Sequence, residues 1–93
     1  MIKTPVVIQP AYTIYFEIYD GLTWTHADVH KWTPKIAKEL RDVHHLLSMI
    51  HTKPFYCLVD NSKLEKFVKF LGYIFINNVY CTDGVTRRIF RYG

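Results

Sequence analysis

The residues in this 93-residue chain that could do chemistry are few and scattered. His26 and His30 stand four apart with Asp28 between them, the spacing by which one helix presents two ligands to a metal. No Glu follows the first histidine and no third ligand is evident, so an exposed pair is the preferred reading. His44 and His45 are adjacent, point in different directions on one helix and cannot chelate together. They read as boundary residues, or as a general base if one faces a cleft. No Ser or Cys sits in a nucleophile motif. Cys57 and Cys81 lack the paired spacing of a zinc site and read as small packing residues in a reducing compartment. Lys63, Lys66 and Lys69, with Arg87, Arg88 and Arg91, hold much of the formal charge of +4. Such a patch could grip phosphates while nearby aromatic rings stack on bases. With no nucleic-acid motif beside it, a solvated outer helix face is favoured. Trp24 and Trp32 lie in a polar segment with His26 and His30. Two readings stay open there: a protein-binding hot spot, or aromatic filler for a small core.

These residues need elements to position them. A chain of this length has room for one core, so residues 1–93 are expected to form a single domain. Aromatic residues make up 16 % of it, enough to fill that core and unlike a disordered composition. Apolar runs reach four or five residues, far short of the roughly 20 needed to cross a bilayer. The segment Met1-Ile2-Lys3-Thr4-Pro5 has no apolar region behind its one basic residue, so it does not read as a signal peptide and a cytoplasmic address is expected.

Thr13 to Tyr19 is β-branched and aromatic and reads as a strand ending at Asp20-Gly21. Pro5 to Gln9, bracketed by prolines, fits only an edge strand or an extended arm. The pattern from Gly21 to Thr33 is poor and reads as a loop with two helical turns at most. Thr33-Pro34 then opens a helix, with a hydroxyl at the N-cap and a proline where no N–H is needed. Ile36, Leu40, Val43, Leu47 and Ile50 draw one apolar stripe along it, and the stop is expected before Lys53-Pro54. Phe55 to Val59 lacks polar alternation, which predicts a central strand covered on both faces. Asn61 caps a second helix that closes at Gly72. A final hairpin from Tyr73 to Tyr92 is expected to turn at Asp83-Gly84 with φ positive at both residues. Thr86, Arg88, Phe90 and Tyr92 share one face of its second strand, and the mixed alternation leaves open which face meets the core.

The series Asn61, Leu64, Phe67 and Leu71-Gly72-Tyr73, with the Asp83-Gly84 turn and Arg88-Ile89-Phe90, resembles the C-terminal half of the GNAT N-acetyltransferase superfamily. It is most similar to the truncated, diverged GNAT-like proteins of tailed bacteriophages. The resemblance implies an α+β domain with a truncated GNAT-like mixed sheet: one or two strands, loop, helix, strand, helix, and a C-terminal hairpin. It also implies acetyl-CoA as cofactor in an active member, with Asn61 near it. Two features of such a member are missing. No Gly-rich loop follows the early strand to cradle the coenzyme A diphosphate, since Asp20 to Pro34 has only Gly21 among bulky Trp24, His26, His30 and Trp32. The position of the tyrosine that protonates the leaving thiolate holds Val68, leaving Tyr73 or Tyr80 as substitutes if active.

The expected function is therefore a GNAT-like protein without acetyl transfer and without cofactor, which binds and modulates a host protein, in the host cytoplasm if phage-encoded. A homodimer is expected, because a curtailed sheet leaves an open edge. An acetyl-CoA-dependent N-acyltransferase with a divergent cofactor site is the alternative, and a basic nucleic-acid-binding accessory protein the second. No membrane partner is expected.

Overall fold

The computed structural model describes residues 2–51 and 54–93. It is an α+β fold of six strands and two helices: β1 (Thr4–Gln9), β2 (Tyr12–Tyr19), β3 (Leu22–Val29), α1 (Pro34–Ile50), β4 (Phe55–Val59), α2 (Ser62–Leu71), β5 (Ile74–Tyr80) and β6 (Thr86–Tyr92). The strands form one mixed sheet in the order β1-β2-β3-β4-β6-β5. All neighbours are antiparallel except β3 and β4.

Residues 4–9 join the sheet as an edge strand, with a register shift between Pro5 and Val7 that suits an edge. The segment after Gly21 is a strand, not a loop. Asp20 (φ 54°) and Gly21 (φ 74°) both adopt the left-handed conformation, so the two-residue turn of a tight hairpin sits here, with Tyr19 opposite Leu22. Thr23, Thr25, Ala27 and Val29 lie opposite Ile18, Phe16, Ile14 and Tyr12 and so point to the same face. Small and hydroxylated residues on that inward face hid the alternation. The late turn differs from expectation in the opposite sense. Residues 81–85 connect β5 to β6, and of Asp83 and Gly84 only the glycine has positive φ. The Gly84 N–H donates to the Cys81 carbonyl (3.0 Å) and the Cys81 N–H to the Val85 carbonyl (2.9 Å).

Helix α1 starts where expected: the Ile36 N–H donates to Thr33 Oγ1 at 3.1 Å and Pro34 takes the first position. It ends at Ile50 with His51 as cap; Lys53, of the expected Lys53-Pro54 stop, lies outside the described residues. In α2 the Leu64 N–H donates to Asn61 Oδ1 (2.7 Å), and Gly72 closes the helix at φ 112°.

Both helices pack on one face of the sheet. His44 of α1 meets Tyr73 and Tyr92, His51 meets Phe16 and Phe55, and Glu65 of α2 bonds Arg88. The core between them is Tyr12, Ile14, Leu40, Phe55, Cys57, Val59, Val68, Leu71, Tyr73 and Phe90. Register then settles the last strand: Phe90 and Tyr92 pair with Cys57 and Phe55, so Thr86, Arg88, Phe90 and Tyr92 face the helices. The same register corrects the reading of β4. The strand is central, but only Phe55, Cys57 and Val59 are buried, while Tyr56 is half-buried and Leu58 is 42 % exposed on the other face.

Candidate functional site

Strands β3 and β4 pair at two positions only, Thr23 with Phe55 and Trp24 with Tyr56. Beyond them the strands part and leave a cleft of about 260 Å³. A parallel pair joined through a helix needs no tight turn to hold its ends together, so the strands can separate once their ladder stops. β3 supplies Thr25 to Val29 to the cleft, β4 Cys57 and Leu58, α1 Leu40 and His44, and α2 Leu64, Phe67, Val68 and Leu71. Tyr73 closes the floor and Trp32 stands at the rim.

The polar groups of the floor are mostly spent on one another. Thr25 Oγ1 donates to the Tyr56 carbonyl at 3.3 Å. Its oxygen therefore accepts from the Tyr73 hydroxyl at 2.8 Å. Burial pushes the Tyr73 hydroxyl well above the usual tyrosine pKa. The Cys57 thiol is pushed up by burial to about 12, which keeps it a thiol and unreactive at neutral pH. His44 is only 3 % exposed, and burial lowers its pKa despite the Leu40 hydrogen bond. It is thus neutral, and its Nδ1–H donates to the Leu40 carbonyl at 2.7 Å. Nε2 then carries the lone pair and has no hydrogen-bond partner among the described residues. The sequence left His44 as a boundary residue or a cleft base; only the fold decides that it lines the cleft.

The turn from β3 into α1, His30 to Thr33, contains no glycine. The His30 and Lys31 N–H groups both donate to the Ala11 carbonyl, at 2.8 and 3.4 Å. The Ile36 N–H goes to Thr33 Oγ1 and the Ala37 N–H to the Thr33 carbonyl at 3.0 Å. Pro34 has no N–H at all. A helix N-terminus binds anions through donors that point outward unpaired; here the His30, Lys31 and Ile36 donors have inward partners, and those of Trp32, Thr33 and Lys35 have none among the described residues.

The residues singled out from the sequence do not gather in one place. Trp32 (55 % exposed) packs edge-on against Phe67 at 4.6 Å, on the helix side. Trp24 points to the opposite face, where it tilts against Tyr56 at 5.6 Å and its Nε1–H donates to the Tyr19 carbonyl at 3.4 Å. His26 lines the cleft and bonds Glu17 Oε1 at 3.1 Å, and His30 is exposed just past the strand. No helix carries the two histidines, and no group of three metal-ligating side chains occurs among the described residues. Asn61 is occupied as a helix cap outside the cleft lining. Tyr80 is 75 % exposed at the end of edge strand β5, with β6 and β4 between it and the cleft.

Three of the six basic residues are neutralised locally. Arg87 makes a double hydrogen bond to Asp83 at 3.0 and 2.8 Å and lies 3.8 Å from Asp60. That bond, with the Val85 N–H, holds the Asp83 carboxyl below its usual range. Lys69 and Arg88 both reach Glu65 at 3.1 Å, and Arg88 also lies over the Phe75 ring at 4.3 Å. Lys63 and Lys66 are exposed. Arg91 points to the other face, and its Nε is the one buried described side-chain nitrogen without a partner.

No helix among the described residues is long and apolar enough to cross a membrane. Comparison with protein-family models, with curated proteins and with solved structures gave no match.

Proposed function

We propose that this chain is a non-catalytic binding module of GNAT-like topology, which grips another protein at the rim of the β3–β4 cleft. The observation that carries this reading is the engagement of the amides between β3 and α1. A coenzyme A diphosphate needs several converging N–H groups there, on a backbone that glycines leave open to close approach. Here the His30 and Lys31 amides are turned to Ala11, the Ile36 amide to Thr33 Oγ1, and Pro34 has none; the free amides of Trp32, Thr33 and Lys35 lie among bulky side chains with no glycine between them. The proton donors weigh the same way: Val68 is in the core, Tyr73 gives its proton to Thr25, and Tyr80 stands on the far edge. Trp32, exposed at the rim with Phe67 beneath it, has the exposure and aromatic backing of an interface anchor. A host protein in a bacterial cytoplasm is the partner the GNAT-like phage resemblance suggests.

Affinity capture from a bacterial lysate tests the reading. One protein should be retained by the wild-type chain and released by Trp32→Ala, with the melting temperature nearly unchanged. Retention by both would remove Trp32 from the interface. A second reading has one observation in its favour: the free Nε2 of His44 in the cleft could serve as the base of an acyl transfer. Under that reading the chain acetylates amines and His44→Gln abolishes turnover; the binding-module reading expects no turnover from either form.

A further inference from the structure

The face of the sheet turned away from both helices carries a row of side chains set by register. Glu17 lies opposite Trp24, Trp24 opposite Tyr56, and Tyr56 opposite Arg91. The row therefore crosses β2, β3, β4 and β6 in the order acid, aromatic, aromatic, base. Its two ends are incompletely satisfied. Glu17 bonds His26 through Oε1, and Oε2 has no partner among the described residues. The Arg91 guanidinium makes no described hydrogen bond or ion pair, and its Nε is buried without a partner. Other charges near this face are Asp28, which is exposed, Lys3, which precedes Thr4 opposite Phe16 and lines the cleft with His26 without an ion pair to Glu17, and Arg87, already held by Asp83.

We infer that this face is a homodimer interface, in which the row of one copy lies antiparallel on the row of a second. A two-fold axis running along the strands between Trp24 and Tyr56 reverses the row. Glu17 then meets Arg91 of the other copy at each end, and Trp24 meets Tyr56 in the middle. The arrangement is isologous and closes at two subunits. It sets the Glu17 carboxylate against the terminal guanidinium nitrogens of Arg91 and covers the two aromatic rings, as in face-to-face packing of sheets. The inference does not rest on the binding function proposed above, because Trp32 and Phe67 lie on the helix side.

Sedimentation over a range of concentrations tests it by charge exchange. The wild-type chain should form a dimer. Glu17→Arg and Arg91→Glu should each weaken it at least tenfold by setting like charges opposite. An equimolar mixture of the two variants should recover the dimer, since both pairings in the mixed species join opposite charges. Tyr56→Ala, which removes area and adds no charge, should also weaken the dimer at least tenfold while the monomer keeps its fold by circular dichroism; it serves if a charge variant fails to fold. A monomeric wild-type chain overturns the inference, as does failure of the mixture to recover a dimer. A dimer that survives Arg91→Glu and Tyr56→Ala but is lost in Ile76→Lys would assign association to edge strand β5 instead.

Discussion

The two faces of the sheet are built from alternating residues of the same strands, yet they do different work. On the helix face Tyr12, Ile14, Phe55, Cys57, Val59 and Phe90 are buried, and the polar groups that enter, Thr25, Tyr73 and His44, have protein partners. On the other face no side chain of the Glu17 to Arg91 row is fully buried, and both charged ends keep unused bonding capacity. Burial of apolar surface is what stabilises a small domain. The covered face therefore sets stability, and the bare face is free to carry aromatic and charged groups that a fold would otherwise hide. An interaction surface can arise here at little cost to the core.

The contrast breaks most visibly under truncation. Phe90→Ala, in the covered layer, should cost about 3–5 kcal/mol and lower the melting temperature sharply, whereas Tyr56→Ala on the bare face should leave the monomer's stability nearly unchanged. Comparable losses from the two would erase the distinction. Glycines sharpen it at smaller amplitude. Gly72, at φ 112° with Tyr92 Cε2 2.9 Å from where a Cβ would stand, should lose about 1–2 kcal/mol as Gly72→Ala from its left-handed backbone, and more from the clash. Gly21, at φ 74° with open space around it, should lose only the conformational part, about 1 kcal/mol. Denaturant titration of both variants would rank them.

Acid should act through the covered face. The His44 pKa is lowered by burial, so below the ordinary value near 6.5 the unfolded chain binds a proton that the folded chain refuses. Its contribution to stability is full above that pH and is lost as pH falls toward the lower folded value. One such site gives a slope of at most about 1.4 kcal/mol per pH unit, and His44→Gln should flatten it. The smallest effect is expected from the solvated helix surface: Lys66→Gln should change stability by less than about 0.5 kcal/mol, measured by thermal unfolding.

Much of the fold was legible because its signals are local. Thr33-Pro34, Asn61 and Gly72 act through their own backbone geometry, so both helices could be bounded from the sequence. β3 was not legible, because its inward residues Thr23, Thr25 and Ala27 carry little hydrophobic signal, and the turn that starts it, Asp20-Gly21, was read only as the end of β2. The expected tight turn at Asp83-Gly84 failed for a related reason. Asp83 is held by Arg87 and by the Val85 N–H at 3.1 Å, which favours a longer connection over a second left-handed residue. The site was legible only in part. Trp32 and Tyr73 were marked, whereas Thr25 and Ala11 entered through contacts across 48 and about 20 residues of chain, which no motif spans. Trp24 and Trp32 looked like one patch because chain proximity conceals that a strand sends one to the bare face while the following turn carries the other to the helices.

The amides between β3 and α1 bear the functional account, and calorimetric titration with acetyl-CoA probes them directly. The expected result is no saturable heat, with the His30 and Lys31 amide resonances unmoved because both remain bonded to Ala11. Saturable binding at micromolar concentration, with those two resonances shifted, would contradict it.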